Sequence, residues 1–442
     1  MDNNVIMNDR IVVIDSPPGF GKTMMAIQQI NQTTDEIKFL FITPFLSEVK
    51  RVINSCPEKH FVQPNAGEHG GSKSKHLINL ISQGRNVVST HALFAIISDD
   101  LIELLRLNNY VLYLDEVFDA VGNYSISNGS WEQNEAITKN DIQSLIVRGY
   151  IQVEDDYSVT WIDQEHTLSK YGEIKELADR SCLFFVNDSY LLWTFPIKVF
   201  REGIFDQIYI LTYRFDSQIQ ALYYDFFDIQ YVKYSVFKNE EGLYQIEPFN
   251  LNKELVWKKE IKDKIHIVQN EKLNRIGDVY QDERNHPYKS ALSISWFRKN
   301  TKRSGNKVLN ILGNNIVNFY QNYTSVKTEL RMWTCFKDFV SSINNKNLST
   351  KCFIPINARS TNEYKDKTAI AYPVNRYTNP YINSFFQKKD IYVNQDQWAL
   401  TELVQWLWRS AIRNGEEITL YIPSERMRTL LAKFLNNEEI EF

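Results

Sequence analysis

Residues 10–30, RIVVIDSPPGFGKTMMAIQQI, decide the fold. The first six residues form an apolar, β-branched run that predicts a buried strand closed by Asp15, and the last seven have the apolar spacing of a helix. Two prolines, two glycines, a lysine and a threonine lie between them. Strand, glycine-containing loop and helix in this order are the context of a phosphate-binding loop. We therefore predict an α/β fold that holds a phosphate at this loop.

The chemistry of the loop follows from its residue types. Gly19 and Gly21 let the backbone curl so that its N–H groups point at phosphate oxygens, and the following helix adds the positive end of its dipole. Lys22 is expected to reach the β- and γ-phosphates, and the Thr23 hydroxyl to bind Mg²⁺. A chance Gly-Lys-Thr in a tight turn is the alternative. The predicted nucleotide-binding residues are Ser16, Pro17, Pro18, Gly19, Phe20, Gly21, Lys22 and Thr23.

A second carboxylate motif, VLYLDEVFD, occupies residues 111–119. A buried strand ending in Asp-Glu predicts that Asp115 binds Mg²⁺ and that Glu116 orients and deprotonates the attacking water. Many strands end in acids, so the motif alone is weak. Downstream of a phosphate loop it predicts ATP hydrolysis, with Lys22 and Glu116 catalytic and with Thr23 and Asp115 at the metal.

Composition bounds the class of protein. A chain of 442 residues predicts two to three domains, and 43% hydrophobic residues suffice for sizeable cores. The sequence has no apolar run near the roughly 18 residues of a transmembrane helix, and its polar, acidic start is unlike a signal peptide. Four cysteines lie far apart without zinc-ligand spacing. We predict a cytoplasmic protein with no membrane partner.

Charge is divided unevenly along the chain. Residues 1–230 carry 31 acidic and 18 basic residues, whereas residues 231–442 carry 23 and 32. We predict an N-terminal ATP-binding domain over 1–225, with an insertion at about 122–180, and a basic, nucleic-acid-facing domain over 226–442. Residues 284–327 contain eight basic residues and no acid, with aromatic residues between them. This mixture suits a nucleic-acid strand, and a solvated basic loop is the alternative.

Three further segments are predicted strands that end in hydroxyl residues: KFLFITPFLSEV from residue 38, NVVSTHALF from residue 86 and FDQIYILTYRF from residue 205. With the phosphate loop and LDEVF, their order resembles motifs I, Ia, Ic, II and III of superfamily 2 helicases, the DEAD/DEAH-like group, and small bacteriophage helicases in particular. The resemblance implies two tandem RecA-like P-loop domains with parallel sheets and insertions. The glutamine-containing adenine motif of that group is not evident before the loop.

The C-terminal half offers a counterpart of motif VI. Residues 398–413, WALTELVQWLWRSAIR, predict one helix whose face carries Gln405, Arg409 and Arg413 at spacings of four. The resemblance implies that these residues complete the ATP site and that one arginine, Arg409 or Arg413, is the arginine finger. An ordinary amphipathic helix with exposed charges is the alternative.

Nucleic-acid contacts are predicted at the strand ends and in the basic half. ALSISWFRKN, residues 291–300, is predicted as a strand and turn on the nucleic-acid face, and NARSTNEY, from residue 357, resembles motif V. The predicted nucleic-acid-binding residues are Thr43, Pro44, Thr90, Trp296, Arg298, Lys299, Thr361 and Asn362.

These features together predict an ATP-dependent helicase or translocase that uses ATP and Mg²⁺. DNA is favoured over RNA, in phage replication or recombination and with proteins of those processes as partners. We expect a monomer, in the host cytoplasm if the protein is phage-encoded. The alternatives are a P-loop motor of another class, such as a viral DNA-packaging ATPase, and a helicase-like clamp that does not unwind.

Overall fold

The structure is a computed structural model. It describes residues 10–67, 71–124, 126–127, 134–135, 137–163, 171–201, 203–276, 290–303, 307–343, 346–358 and 363–438. The chain divides into two compact units. The first comprises Met1–Asp15, Thr23–Tyr234 and Thr378–Val393, and the second comprises Ser16–Lys22, Ser235–Tyr377 and Asn394–Phe442.

The described strands are, in chain order, β1 (Ile11–Asp15), β2 (Lys38–Thr43), β3 (Val87–Thr90), β4 (Tyr110–Asp115), β5 (Val121–Asn123), β6 (Ile126–Ser127), β7 (Asn134–Glu135), β8 (Ile151–Val153), β9 (Val159–Trp161), β10 (Leu183–Val186), β11 (Tyr190–Thr194), β12 (Phe205–Thr212), β13 (Val232–Lys238), β14 (Tyr244–Pro248), β15 (Ile265–Ile267), β16 (Arg331–Trp333), β17 (Ala369–Ala371) and β18 (Ile418–Tyr421).

The described α-helices are α1 (Lys22–Gln32), α2 (Leu46–Ser55), α3 (Lys73–Ser82), α4 (His91–Phe94), α5 (Asp99–Leu107), α6 (Lys139–Val147), α7 (Gly172–Asp179), α8 (Lys198–Arg201), α9 (Ile219–Phe226), α10 (Leu251–Lys262), α11 (Glu271–Asn274), α12 (Ile294–Arg303), α13 (Lys307–Asn318), α14 (Pro380–Gln387), α15 (Gln395–Leu407) and α16 (Glu425–Leu435).

A seven-stranded sheet in the order β14-β13-β1-β12-β4-β2-β3 contains the first predicted strands. Pairing is parallel between β1 and β12, β1 and β13, β12 and β4, β4 and β2, and β2 and β3. The register sets Asp15 beside Thr212, Asp115 beside Leu211 and Thr43 beside Thr90. The carboxyl ends of these strands therefore meet at one edge, where open parallel sheets bind ligands.

Residues 121–194 include a subdomain with its own apolar core. A three-stranded antiparallel sheet β10-β11-β5 accompanies the hairpins β6–β7 and β8–β9. Ile142 on α6, Trp161 on β9 and Ile174 on α7 pack into one buried cluster that extends to Leu191. Short strands and two amphipathic helices thus bury a core where the sequence predicted an insertion.

The second unit contains a four-stranded sheet in the order β15-β18-β17-β16, and all three pairings are parallel. Strand β18 is followed by helix α16, whose N-cap is Ser424. Parallel sheets in both units confirm the predicted α/β class. The chain passes from the first unit to the second within β13, after Tyr234.

Residues 378–393 return to the first unit. Phe385 and Phe386 on α14 are fully buried, and the Phe385 ring stacks on Phe226 of α9 with ring centroids 4.2 Å apart. The segment therefore supplies core residues to a unit from which it is distant in sequence.

The predicted strand within ALSISWFRKN is wrong, because residues 294–303 form α12. Within this helix Ile294 is 39% exposed. Trp296, Phe297 and Asn300 are buried, which is the spacing of one helical face. Among the described residues, no helix is both long enough and apolar enough to cross a membrane.

Candidate nucleotide and metal site

Asp15, at the end of β1, binds the backbone of the turn that follows the neighbouring strand β12. Its carboxylate accepts hydrogen bonds from the backbone N–H groups of Arg214 (2.7 Å) and Phe215 (2.9 Å). Asp15 is 4% exposed, so these bonds satisfy a carboxylate that burial would otherwise penalise. The turn that follows β12 is thereby tied to the residue that opens the phosphate loop.

The backbone of the loop of residues 16–22 turns at its two glycines. Gly19 and Gly21 have φ values of 89° and 91°, in the left-handed region that favours glycine. Helix α1 begins at Lys22 and has no acidic residue in its first turn, which leaves its positive end available to an anion. The Lys22 Nζ donates to the carbonyl oxygens of Ser16 (2.7 Å) and Pro17 (3.2 Å), so the loop closes on its own lysine.

Three contacts within the second unit hold this loop. The Ser16 hydroxyl accepts a hydrogen bond from the backbone N–H of Val236 (2.9 Å), which gives this serine a structural role. A Cβ on Gly19 would lie 3.0 Å from the Trp408 ring, and a Cβ on Gly21 would lie 2.0 Å from the Tyr244 ring. Both glycines are therefore required by close aromatic neighbours as well as by their φ values.

Asp115, at the end of β4, lies within hydrogen-bonding distance of two threonine hydroxyl groups. The Thr23 Oγ1 donates to one carboxylate oxygen (3.1 Å) and the Thr43 Oγ1 lies 3.4 Å from the other. Burial, then the charges of Glu116 and Glu48, raise the pKa of Asp115 to about 7, although the Thr23 hydrogen bond acts in the opposite direction. The site therefore holds a concentration of negative charge that a cation would stabilise.

Glu116 lies in an unusual backbone conformation directly after β4. Its φ is 69°, uncommon for a residue with a side chain, and its backbone N–H donates to the Leu211 carbonyl (2.9 Å). The Oε2 atom is buried and makes no hydrogen bond within the described part of the chain. His91 supports the turn, because its Nε2 lies 2.9 Å from the Asp115 carbonyl oxygen. A strained turn that holds an unsatisfied carboxylate is typical of a functional site.

The donor set fits a hard divalent cation. Thr23 and Asp115 offer hydroxyl and carboxylate oxygens within hydrogen-bonding distance of each other, and Mg²⁺ prefers such ligands, usually few of them, together with water and substrate phosphate. The elevated pKa of Asp115 and the unsatisfied oxygen of Glu116 both favour a positive charge at this position. No cluster of three or more His, Cys, Asp or Glu side chains suited to a metal occurs among the described residues. The site therefore suits a metal that the nucleotide helps to hold.

The predicted single helix over residues 398–413 is wrong, because α15 ends at Leu407. The Arg409 N–H donates to the Trp406 carbonyl oxygen. The Ala411 N–H donates outside the helix, to the Lys367 carbonyl oxygen. A separate 3₁₀ turn, Ala411–Asn414, then carries Arg413.

Gln405, Arg409 and Arg413 therefore do not share one helical face. Gln405 and Arg409 are buried, at 9% and 5% exposure.

The structure distributes the predicted nucleic-acid residues differently. Thr43 is fully buried, so its hydroxyl serves Asp115 and does not reach a phosphodiester backbone. Trp296 is also buried and packs edge-to-face on Phe297, which removes its ring from base stacking. Pro44 and Thr90 are half-buried at strand ends, and Arg298 and Lys299 are exposed on α12. Thr361 and Asn362 lie outside the described residues.

Sequence reasoning missed the aromatic side chains that contact the phosphate loop. Trp408 lies within the segment that was compared with motif VI, so its proximity to the predicted arginines was a usable signal. Tyr244 lies on β14, in a region where we found no motif, and nothing in the local sequence indicated it.

Two family models match the chain: the YonV C-terminal Rossmann-like domain over residues 259–435 and the YonV middle domain over residues 132–193. The SPbeta prophage-derived uncharacterized protein YonV of Bacillus subtilis (strain 168) is 36% identical over 442 residues, covering 97% of this chain and 100% of that protein. The chain belongs to the YonV family. The YonV middle-domain match falls on the subdomain with its own apolar core.

Solved structures give more distant likenesses of this YonV family member. An apo XPD structure has a TM-score of 0.44 and 11% identity, covering 98% of this chain and 96% of that chain. The helicase MrfA bound to DNA has a TM-score of 0.36 and 9% identity, covering 98% of this chain and 50% of that chain. Similarity at this level does not transfer an activity.

Proposed function

We propose that this protein is a nucleic-acid-dependent ATPase of the helicase or translocase type, acting on DNA with ATP and Mg²⁺. The observation that carries the proposal is the arrangement at the end of β4. Asp115 accepts a hydrogen bond from Thr23, the residue that follows the phosphate-loop lysine, and the adjacent Glu116 has a buried, unsatisfied carboxylate oxygen. In P-loop nucleotide hydrolysis one carboxylate at the metal and one residue that orients the attacking water have these two roles.

Each residue has one task in the proposal. The loop backbone and Lys22 bind the phosphates, and Lys22 exchanges its two carbonyl partners for phosphate oxygens. Thr23 and Asp115 would hold Mg²⁺, which supplies positive charge against the phosphates. Glu116 orients the attacking water and takes its proton, and the unsatisfied Oε2 atom is the acceptor that we assign to this step.

We assign the arginine finger to Arg409 rather than Arg413. Arg409 is buried and directly follows Trp408, whose ring contacts the phosphate loop at Gly19. Arg413 lies four residues further on, in a separate turn. A guanidinium near the γ-phosphate stabilises charge that develops there during transfer.

The nucleic-acid partner is supported by charge. Residues 231–442 carry a net charge of +9 against −13 for the preceding residues, and Arg298 and Lys299 are exposed on α12. Such cations contact phosphates without reading sequence. The relationship to a prophage-derived protein supports DNA of a phage as the track.

The test of the chemistry is steady-state phosphate release by Glu116→Gln, with Asp119→Asn as the matched control. Asp119 is an exposed acid in the same segment. We expect Glu116→Gln to lower turnover by about 10² to 10⁴-fold and to keep ATP binding, whereas Asp119→Asn keeps both. Equal turnover in the two variants would reject the assignment of Glu116 and the site built around it.

A further inference from the structure

A pocket of about 480 Å³ adjoins the phosphate loop within the second unit. Gly19 and Phe20 of the loop form one side, and Phe237 of β13 and Tyr244 of β14 contribute two further aromatic side chains. A volume of this size falls within the range of small-molecule sites in proteins. The phosphate-binding loop and the pocket share Gly19 and Phe20, so a ligand held by one lies next to the other.

The chemistry of the pocket suits a flat aromatic ring. Phe20, Phe237 and Tyr244 offer π faces, and stacking on such faces is favourable for every nucleobase. The Lys253 Nζ lies 4.5 Å from the centre of the Phe237 ring and forms an ion pair of 2.8 Å with Glu247. Lys253 therefore already has an aromatic and an acidic partner.

The hydrogen-bonding side chains of the pocket are arranged differently. Lys238 and Asn252 line it, and both are exposed to solvent. A base is selected strongly where buried polar groups of the protein would be left unpaired by the wrong base. Exposed groups can turn to water instead, so Lys238 and Asn252 enforce little selection.

We propose that this pocket holds the nucleobase of the nucleoside triphosphate by stacking, with little discrimination among bases. The proposal rests on the proposed function, since it requires the triphosphate to lie on residues 16–23. Phe237 and Tyr244 then set the affinity for the base. Both residues lie downstream of the phosphate loop in the sequence. Purine and pyrimidine triphosphates all bind, with affinities that follow stacking strength.

The test compares nucleotides with a ligand that has no base. Equilibrium binding of ATP, GTP, CTP, UTP and inorganic tripolyphosphate to the full-length protein is measured by calorimetry in Mg²⁺. We expect the four nucleotides to agree within about tenfold and to bind about 5- to 150-fold more tightly than tripolyphosphate, the contribution of one stacked base. Phe237→Ala should bring the nucleotides close to tripolyphosphate and leave tripolyphosphate binding unchanged.

Two further variants distinguish a specific effect on the pocket from a general loss of structure. Tyr234→Ala removes an aromatic side chain from the same strand but outside the pocket, and should retain wild-type ratios of affinity. Val256→Arg fills the pocket from an exposed position and should lower nucleotide affinity without lowering that of tripolyphosphate. An added cation cannot by itself produce that loss.

The outcomes separate the pocket from the function. Nucleotides that bind no better than tripolyphosphate in the wild type, or a Phe237→Ala variant with unchanged nucleotide affinity, would overturn the base pocket. A preference for one base of more than about a hundredfold would overturn the lack of discrimination. If neither the nucleotides nor tripolyphosphate bind to the wild-type protein, the proposed function fails, and the pocket proposal fails with it.

Discussion

Replacing Asp115 by asparagine should make the metal-free protein more stable at alkaline pH, because the native site penalises the charge on this carboxylate. Burial, with Glu116 and Glu48 nearby, raises its pKa from 3.8 to about 7. Asparagine has the same shape, remains neutral and can still accept the Thr23 hydrogen bond. The variant therefore removes the penalty without leaving a cavity.

The magnitude follows from linkage between protonation and folding. The pKa of Asp115 is higher in the folded chain than in the unfolded one. Between pH 3.8 and about 7 the folded protein therefore keeps a proton on this carboxyl that the unfolded chain has already released. Wild-type stability therefore falls as the pH rises through that window. A tenfold difference in proton affinity between the two states is worth about 1.4 kcal/mol, so asparagine should gain about 4 kcal/mol at pH 8 and less than about 1 kcal/mol at pH 4.

Urea unfolding in EDTA, followed by circular dichroism and tryptophan fluorescence at several pH values, measures the gain. Asp119→Asn, at an exposed site, is the control and should show no pH-dependent gain. Mg²⁺ should stabilise the wild type and not Asp115→Asn. A gain that is absent at pH 8, or equal at every pH, would refute the account of a carboxylate held against its charge.

Three further predictions concern the loop, the arginines and the core. Gly21→Ala should abolish measurable ATP binding in calorimetry, because its Cβ would lie 2.0 Å from an aromatic ring, whereas Gly84→Ala, with a φ of 63° and a nearest neighbour 3.9 Å away, should bind normally. Arg409→Gln should lower phosphate release by about 10³-fold or more and Arg413→Gln by less than about tenfold; the reverse order would reassign the finger. Phe385→Ala should cost about 3–5 kcal/mol of unfolding free energy in urea, and a loss below about 1 kcal/mol would contradict its place in the core.

The first unit was largely predictable because its strands are local patterns. β1, β2, β4 and β12 are short apolar runs closed by a threonine or an aspartate, and each ends where the sequence indicated. The glycines of the loop were likewise identified by residue type, because a left-handed backbone has few alternatives to glycine.

The errors concern contacts between residues that are distant in sequence. The end of α15 depends on a backbone bond from Ala411 to Lys367, and periodicity alone would extend the helix through Arg413. The return of residues 378–393 to the first unit depends on Phe385 meeting Phe226. Local patterns contain no information on such pairings, and the same holds for Tyr244 against Gly21.

The most direct test of the central claim is ATP turnover by the full-length protein with and without single-stranded DNA, duplex DNA and RNA. The account predicts low basal turnover, strong stimulation by DNA, weaker stimulation by RNA and loss of stimulation at high salt, since the basic contacts are to phosphates. Turnover that is indifferent to every nucleic acid would contradict a nucleic-acid motor, even if Glu116 proved essential for hydrolysis.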